Sequence, residues 1–425
     1  MRTAEPLTRS GDPIEIFATC WQEPGAVLLE TQKPSARERS SFIARAPGRT
    51  LVLDRAHHGS RYFEEMHAAT QEGFCLGYLG YDLRLLTEEL PDRNPPLLSL
   101  PDAWMGVYDG LLCYDHLSRR WYGRGSVRWP AGRGNAVEGS PPGRIRLHRS
   151  QETYLQMIKH VQAYIAAGDV YQVNLTQPIL YLGRLNPWAL YLRLRAVQPV
   201  PYAAFLNLGE GRFVLSGSPE LFLRVCDGAV VSKPMKGTRP RGRTPQEDRR
   251  LRDDLHRSAK DRAENVMIVD LMRHDIGRVA ATGTVAVPRL FSVEGYRTVY
   301  QMISEVTGNL RPGIGVTDVL RAAFPPGSVT GTPKKRACEI IDEMEGYRRG
   351  VYTGAIGLLT PEGDMTLSVA IRTLAIAGAT ACFGVGGAIL ADSDPGEEYR
   401  ECLVKAAAFF EAIGVEDLSG LGFNQ

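Results

Sequence analysis

The sequence predicts a mixed α/β fold, and three stretches carry that prediction. Near the N-terminus, within 14–30 and 41–53, short apolar runs (Val27-Leu28-Leu29; Leu51-Val52-Leu53) broken by Gly and Pro read as strands. Ser150 then heads an amphipathic helix in which Tyr154, Ile158, Val161 and Ile165 recur at helical spacing until Gly168. Tyr171-Gln172-Val173-Asn174-Leu175-Thr176 follows with strand alternation. Residues 351–390 read as three strands, with Thr360-Pro361-Glu362-Gly363 as a type I turn between the first two. A final helix puts Glu398, Glu401 and Lys405 on one face, and Leu403, Ala406 and Phe410 mostly on the other.

At 425 residues the chain is long enough for two or three domains, and 44% apolar with 23% charged residues is ordinary for a globular protein. Lys+Arg 50 against Asp+Glu 48 gives +2, which leaves no global electrostatic case for nucleic acid or membrane binding. Seven cysteines, an odd number without a CxxC pair, point to reduced thiols and a cytoplasmic protein. No apolar stretch after Met1 suits a signal peptide, and no run reaches the ~18 apolar residues of a membrane span.

Several motifs invite chemistry. Gly73-Phe74-Cys75-Leu76-Gly77 has the form of a nucleophile elbow, but no His-x-Glu follows to supply the base and its orienting acid, so Cys75 reads as a packed core thiol. From Arg119 to Arg149 Gly, Pro and Arg dominate with little periodicity, the pattern of a solvated connection. Thr244-Pro245 with Glu247 and Asp248 starts a helix expected to run past Asp270, with Asp261 and Glu264 on one face. Gly327-Ser328-Val329-Thr330-Gly331-Thr332-Pro333-Lys334 departs from the P-loop spacing, yet can open a helix toward an anion. In the second of the three late strands Thr366, Ser368 and Arg372 share a polar face, and the third ends in Gly386-Gly387 with bared amides.

Lys233-Pro234-Met235-Lys236-Gly237-Thr238-Arg239 is the most pointed stretch. Lys236, between Pro-Met and Gly-Thr, is expected in a tight loop and reads either as a solvated basic turn or as an amine nucleophile. The second reading needs a depressed pKa, for which Arg239 and Arg241 are the cations at hand. On the last helix, Glu398 and Glu401 read as a solvated acidic stripe or, with Glu264 facing them, as an all-oxygen Mg²⁺ site.

Taken in order, these stretches resemble the chorismate-utilising enzymes: anthranilate synthase component I, aminodeoxychorismate synthase component I, and the isochorismate and salicylate synthases. The resemblance is dense over 150–415. It runs through 168–176, Ser218-Pro219-Glu220, the Lys236 stretch, Asp261-Arg262-Ala263-Glu264-Asn265, 324–334, 352–357, Ile371-Arg372-Thr373 and Glu398 to Lys405. Family members that use water as nucleophile have a lysine base where this chain has Gln172, whose neutral amide cannot deprotonate water. Anthranilate synthases have alanine where this chain has Lys236, so Met235-Lys236-Gly237-Thr238 is similar to the aminodeoxychorismate synthase form.

That resemblance implies two large antiparallel sheets packed face to face with helices outside, in which an N-terminal part (1–145), a chorismate-binding region (146–417) and a tail (418–425) need not be separate bodies. It implies amination of chorismate at C4 with ammonia from a separate glutamine amidotransferase subunit, Lys236 as covalent nucleophile and Glu220 as acid. Tyr352 and Arg372 would hold the enolpyruvyl carboxylate. Ser328, Thr330, Gln172, Gly386, Gly387 and Lys405 would line the rest of the substrate site, and Glu264, Glu398 and Glu401 would hold Mg²⁺. The chain departs from the family pattern at Gln301, where many relatives have histidine, at His274 and at Ala388. The rival implication is the anthranilate outcome, amination at C2 with pyruvate loss. Leu28-Leu29-Glu30 resembles the feedback segment of anthranilate synthases and could equally be structural.

Overall fold

Alternation along each strand sorts side chains between two neighbouring layers, and the fold follows from that sorting. Val27 faces one core and Leu28 another; Leu76 and Tyr78 share the first of these cores, while Cys75 and Leu79 enter a third. Strands buried on both faces need cover on both sides. A computed structural model describes residues 5–54, 61–127, 129–130, 139, 143–297 and 299–414, arranged as helices, a sheet, a second sheet and helices.

Among the described residues the first sheet has twelve strands. In order they are Glu5–Leu7, Arg120–Gly125, Gly110–Asp115, Ser40–Ala44, Val27–Glu30, Tyr202–Gly209, Arg212–Ser218, Thr373–Ala377, Thr380–Ile389, Gln172–Leu182 and Gly331–Thr332, with Arg144–Leu147 also on Gln172–Leu182. The second has ten: Met235–Pro240, Val299–Asn309, Ala229–Ser232, Leu221–Cys226, Met365–Val369, Ala355–Leu359, Phe74–Leu79, Ala103–Tyr108 and Arg49–Leu53, with Ala286–Gly295 on Val299–Asn309. The ladders are antiparallel. Val27, Leu206 and Val214 from the first sheet meet Leu76, Trp104 and Ile356 from the second in the core between them. The helices Gln151–Ala166, Lys334–Glu345 and Pro395–Ile413 cover the outer face of the first sheet, and Tyr62–Glu72, Ala259–Gly277 and Val316–Ala323 that of the second. This is the face-to-face architecture expected. None of the helices of the described residues is long and apolar enough to cross a membrane.

Both sheets mix strands from either side of residue 145: Val27–Glu30 pairs with Tyr202–Gly209, and Phe74–Leu79 with Ala355–Leu359. Residue 145 itself lies within the strand Arg144–Leu147, and the tail 418–425 lies outside the described residues.

Four local expectations are corrected. The helix expected from Pro245 past Asp270 is two helices, Pro245–Arg257 and Ala259–Gly277, because Ser258 turns extended and its side chain caps the second on Asp261. The supposed connection 119–149 contains two strands, Arg120–Gly125 and Arg144–Leu147; most of 128–142 lies outside the described residues. The start of 14–30, a stretch read for its strand runs, belongs instead to a short helix, Pro13–Phe17, under an Asp12/Glu15 capping box. The stretch 351–390 holds four strands, because the chain leaves the second sheet after Val369 and enters the first at Thr373.

That passage has a twin. Ser218-Pro219-Glu220 carries the chain from the first sheet to the second, and the two crossings are bonded to each other. Val369 N donates to Glu220 O at 3.0 Å, Ser218 Oγ to Val369 O at 2.6 Å, and Gly217 N to Arg372 O at 2.9 Å.

Beneath this seam lies a buried ion pair. Arg349 Nη2 is 2.6 Å from Glu345 Oε1, both side chains 1% exposed. Arg349 also donates to the carbonyls of Val329 (2.8 Å) and Asn174 (2.6 Å), and Glu345 accepts from Thr176 N and Oγ1 at 2.8 Å each. Arg349→Met leaves Glu345 charged and without its cation, so the urea unfolding midpoint is expected to fall by the equivalent of about 3–5 kcal/mol. An unchanged midpoint would contradict this account.

Candidate active site

Lys236 lies in an edge strand of the second sheet, Met235–Pro240, and not in a loop. Met235 pairs with Ile303 and Lys236 with Met302, then the register slips so that Thr238 meets Gln301. The slip is a bulge at Gly237, which adopts φ +82°. A Cβ there would stand 2.8 Å from Asp261 Oδ1 and 2.9 Å from its Cβ, so both the backbone angle and the space require glycine.

The half-buried Lys236 has its pKa lowered, first by burial and then by Lys405; Glu264, Glu220 and Glu401 act the other way. Arg239 and Arg241, expected to supply the cations, do not. Arg239 is held by Asp261 at 2.7 Å, and Arg241 by Asp248 through two bonds of 2.8 and 2.7 Å. Their charge is spent on fastening the strand to the two helices that follow it.

Glu220 is buried at the crossing between the sheets, and burial raises its carboxyl pKa to about 7. Hydrogen bonds from Ser328 and from the Met235 backbone, together with the Lys236 charge, partly offset that rise. The loop 327–332 is thereby tied to the seam, while Thr330, fully buried, turns its hydroxyl onto Pro326 O and Gly327 O rather than outward.

Arg372 occupies the second crossing with φ +51°, so the shared face with Thr366 and Ser368 expected from alternation is not formed. Burial lowers its pKa to about 10, and the Tyr296 phenol offsets this in part. Among the described residues no carboxylate pairs with it. Tyr296, which the sequence did not single out, feels both Arg372 and Glu220. The Tyr352 ring packs where a Gly384 side chain would be, 2.1 Å from an ideal Cβ.

Gly386 and Gly387 sit inside the strand Thr380–Ile389, not at its end, opposite Thr176 and Leu175. Gly386 has no room for a side chain, with Leu175 O 2.3 Å from an ideal Cβ, and its carbonyl accepts from Lys405 Nζ at 2.8 Å. Gly387 is different: an ideal Cβ would lie 3.1 Å from Glu398 Oε2, 3.8 Å from Lys405 Nζ and 3.9 Å from Glu401 Oε1. The missing side chain leaves a cradle facing two carboxylates and an ammonium.

Burial raises the pKa of Glu264 and of Glu398; repulsion adds to it, from Asp261 and Glu398 on the first and from Glu401 on the second. Glu401 is lowered by Lys405, 2.7 Å away. Three oxygen-donor carboxylates that penalise one another's charge fit a hard divalent cation in chemistry. They are neighbours rather than a converged ligand set, and no group of three or more His, Cys, Asp or Glu side chains is gathered as a metal site among the described residues.

Gln172 is fully buried at the head of its strand, opposite Thr332, with both amide atoms unpartnered. Gln301 is buried opposite Thr238; His274 is exposed at the end of its helix, and Ala388 lies opposite Asn174. Cys75 is buried in the Phe74–Leu79 strand, with its thiol pushed up to about 12 by burial, an inert core residue. The Leu29-Glu30 stretch lines a cavity of about 170 Å³ between the sheets, away from this cluster, and Glu30 is bound by Tyr191 at 2.6 Å and Arg195 at 2.8 Å.

The chain matches the family of chorismate binding enzymes over residues 20–411. It is 43% identical to the aminodeoxychorismate synthase of Streptomyces griseus over 80% of this chain, but spans only 50% of that protein. It is 42% identical to aminodeoxychorismate synthase component 1 of Klebsiella aerogenes, over 78% of this chain and 75% of that one. It is 39% identical to anthranilate synthase component 1 of Thermus thermophilus over 92% of each. The crystal structure of anthranilate synthase component I from Streptococcus pneumoniae superposes with a TM-score of 0.79 at 28% identity, covering 88% of this chain and 93% of that one.

Because of the bulge, Gly237→Ala is expected to lower stability by about 1–3 kcal/mol, through the strained φ and the Asp261 contact. Chemical denaturation measures it, and a neutral result would show that the strand tolerates a side chain there.

Proposed function

The chain belongs to the chorismate-binding enzymes, and we propose that within them it aminates chorismate at C4, giving 4-amino-4-deoxychorismate, as an aminodeoxychorismate synthase component I. The observation that carries the reading is Lys236 beside Glu220: an amine made less basic by burial next to a carboxyl whose pKa is raised to about 7. The relatives named aminodeoxychorismate synthase support it.

The neutral Lys236 amine adds at C2 of the ring, the double bonds shift, and the C4 hydroxyl leaves as water with the proton of Glu220. Ammonia then adds at C4, the double bonds shift back, and the lysine amine leaves from C2. Arg372, which has no carboxylate partner among the described residues, takes the enolpyruvyl carboxylate, with Tyr352 beside it. Ser328 holds Glu220 in place, and Lys405 with the Gly386-Gly387 backbone receives the ring carboxylate. Glu264, Glu398 and Glu401 would hold Mg²⁺, which when bound neutralises the ring carboxylate and the acidic cluster. Gln172, uncharged, leaves water without a base. A separate glutamine amidotransferase subunit supplies the ammonia, in keeping with relatives named as component 1.

Incubation with chorismate, ammonium and Mg²⁺ is expected to yield 4-amino-4-deoxychorismate, and a mass increase on the Lys236 peptide when ammonium is omitted. Fluorescent anthranilate as the product would sink the reading in favour of C2 amination. Lys236→Ala is expected to lose C4 amination and the adduct together.

The pH dependence has a definite sign. Glu220 must carry a proton to protonate the leaving hydroxyl, and its pKa is raised to about 7, so it holds that proton below this value and loses it above. The alkaline limb of kcat/KM is therefore expected to descend through pH about 7 toward a tenfold loss per unit. A rate that stays level well above that pH would remove Glu220 from the acid role.

A further inference from the structure

Thr353, next in the chain to Tyr352, is fully buried and adopts φ +62°. The left-handed region crowds a Cβ against the backbone, and a β-branched side chain suffers most from it. Among the described residues seven non-glycine residues take a positive φ, and Thr353 alone of them is β-branched. Three of the others, Arg119, Glu210 and Asp227, are exposed at hairpin turns. The turn that holds Thr353 uses glycine for its other left-handed residue: Gly350, at φ +59°, has nothing within 4 Å of an ideal Cβ. Glycine thus stands where a side chain would find space, and threonine stands buried at the same angle.

Two sets of contacts hold Thr353 there. Its N–H donates to Ala370 O at 2.9 Å, and Ala370 N donates to Gly354 O at 2.8 Å. The turn is thereby stitched to the second crossing just ahead of Arg372, which is itself at φ +51°. The Thr353 hydroxyl donates to Tyr352 O at 2.6 Å and accepts from Arg349 Nη1 at 3.3 Å. That hydroxyl links the buried Arg349–Glu345 pair to the peptide of Tyr352, whose ring fills the space left open by Gly384. Residues in such conformations persist only where their surroundings over-determine them, and they gather at ligand clamps.

We propose that Thr353 is a positioning residue for the substrate: its strained backbone and bridging hydroxyl fix the turn that carries Tyr352 relative to the crossing that carries Arg372, so that the two grip one carboxylate of chorismate together. The inference rests on the pocket assigned to Tyr352 and Arg372 above, and adds the residue that sets their spacing.

Calorimetry of chorismate with Mg²⁺, in a Lys236→Ala background where the amine cannot add, measures the grip without turnover. Thr353→Gly takes up the same φ freely but leaves the hydroxyl bridge unmade, and is expected to weaken chorismate about tenfold or more. Thr353→Ser keeps the bridge and is expected to restore most of the affinity. The urea midpoint of Thr353→Gly is expected to fall far less than that of Arg349→Met, since relieved strain offsets the lost contacts. With Lys236 intact, the KM for chorismate is expected to rise more than kcat falls. Wild-type-like affinity in Thr353→Gly overturns the proposal, as does Thr353→Ser binding no better than Thr353→Gly. A midpoint drop equal to that of Arg349→Met overturns it too, because the residue then only supports the fold. Arg372→Met is the control: affinity lost there but kept in Thr353→Gly sinks the proposal alone, and affinity kept in both sinks the pocket assignment with it.

Discussion

The buried pair of Arg349 and Glu345 is the constraint on which the site's walls depend. Arg349 binds the carbonyls of Val329 and Asn174 and stacks 4.6 Å over Tyr81, while Glu345 takes the amide and hydroxyl of Thr176. One ion pair therefore joins the loop that carries Ser328, the strand that begins with Gln172, the turn that leads to Tyr352, and a helical turn from the N-terminal part. Burying two charges is costly, and the cost is offset here because nearly every donor and acceptor finds a partner. Hydrophobic residues in its place would pack these elements without fixing their mutual register.

A second constraint is the seam between the sheets. Glu220 and Arg372 are both residues of crossings, where the chain leaves one sheet and enters the other, and the two crossings are hydrogen-bonded to each other. Residues at such a point are not locked into the alternation of a strand. They can point along the gap between layers, where burial raises the carboxyl of one and lowers the guanidinium of the other. Perturbed groups of opposite kind on one rigid seam are what acid chemistry on an anionic substrate calls for.

The acidic cluster and the lysines are coupled through the same space. Lys405 lowers both Lys236 and Glu401, and Glu264 and Glu401 pull Lys236 the other way. The state of the Lys236 amine thus depends on how the charge of the neighbouring carboxylates is compensated. Arg239 and Arg241, adjacent in sequence, have no part in this because Asp261 and Asp248 already neutralise them.

The sequence by itself determined several of the element types, among them the Ser150-capped helix and the period-two strand from Gln172, because caps, turns and periodicity are local. It also marked the residues to look for at the site, because motif order survives in one dimension. The architecture came with the family resemblance rather than from periodicity, which is silent on strand partners. What only the tertiary structure decided were relations between distant segments: that Lys236 lies in a bulged strand, that Gly386 and Gly387 are mid-strand, and that Lys405 rather than Arg239 or Arg241 is its neighbouring cation. The helix break at Ser258 and the Glu345/Arg349 spacing were visible as an Ser-x-x-Asp cap and an i, i+4 pair, but such signals mark many surface helices equally well. Tyr296 had no such signal. Its place beside Arg372 is set by where a hairpin of the second sheet meets a crossing to the first, and pairing between distant strands decides that.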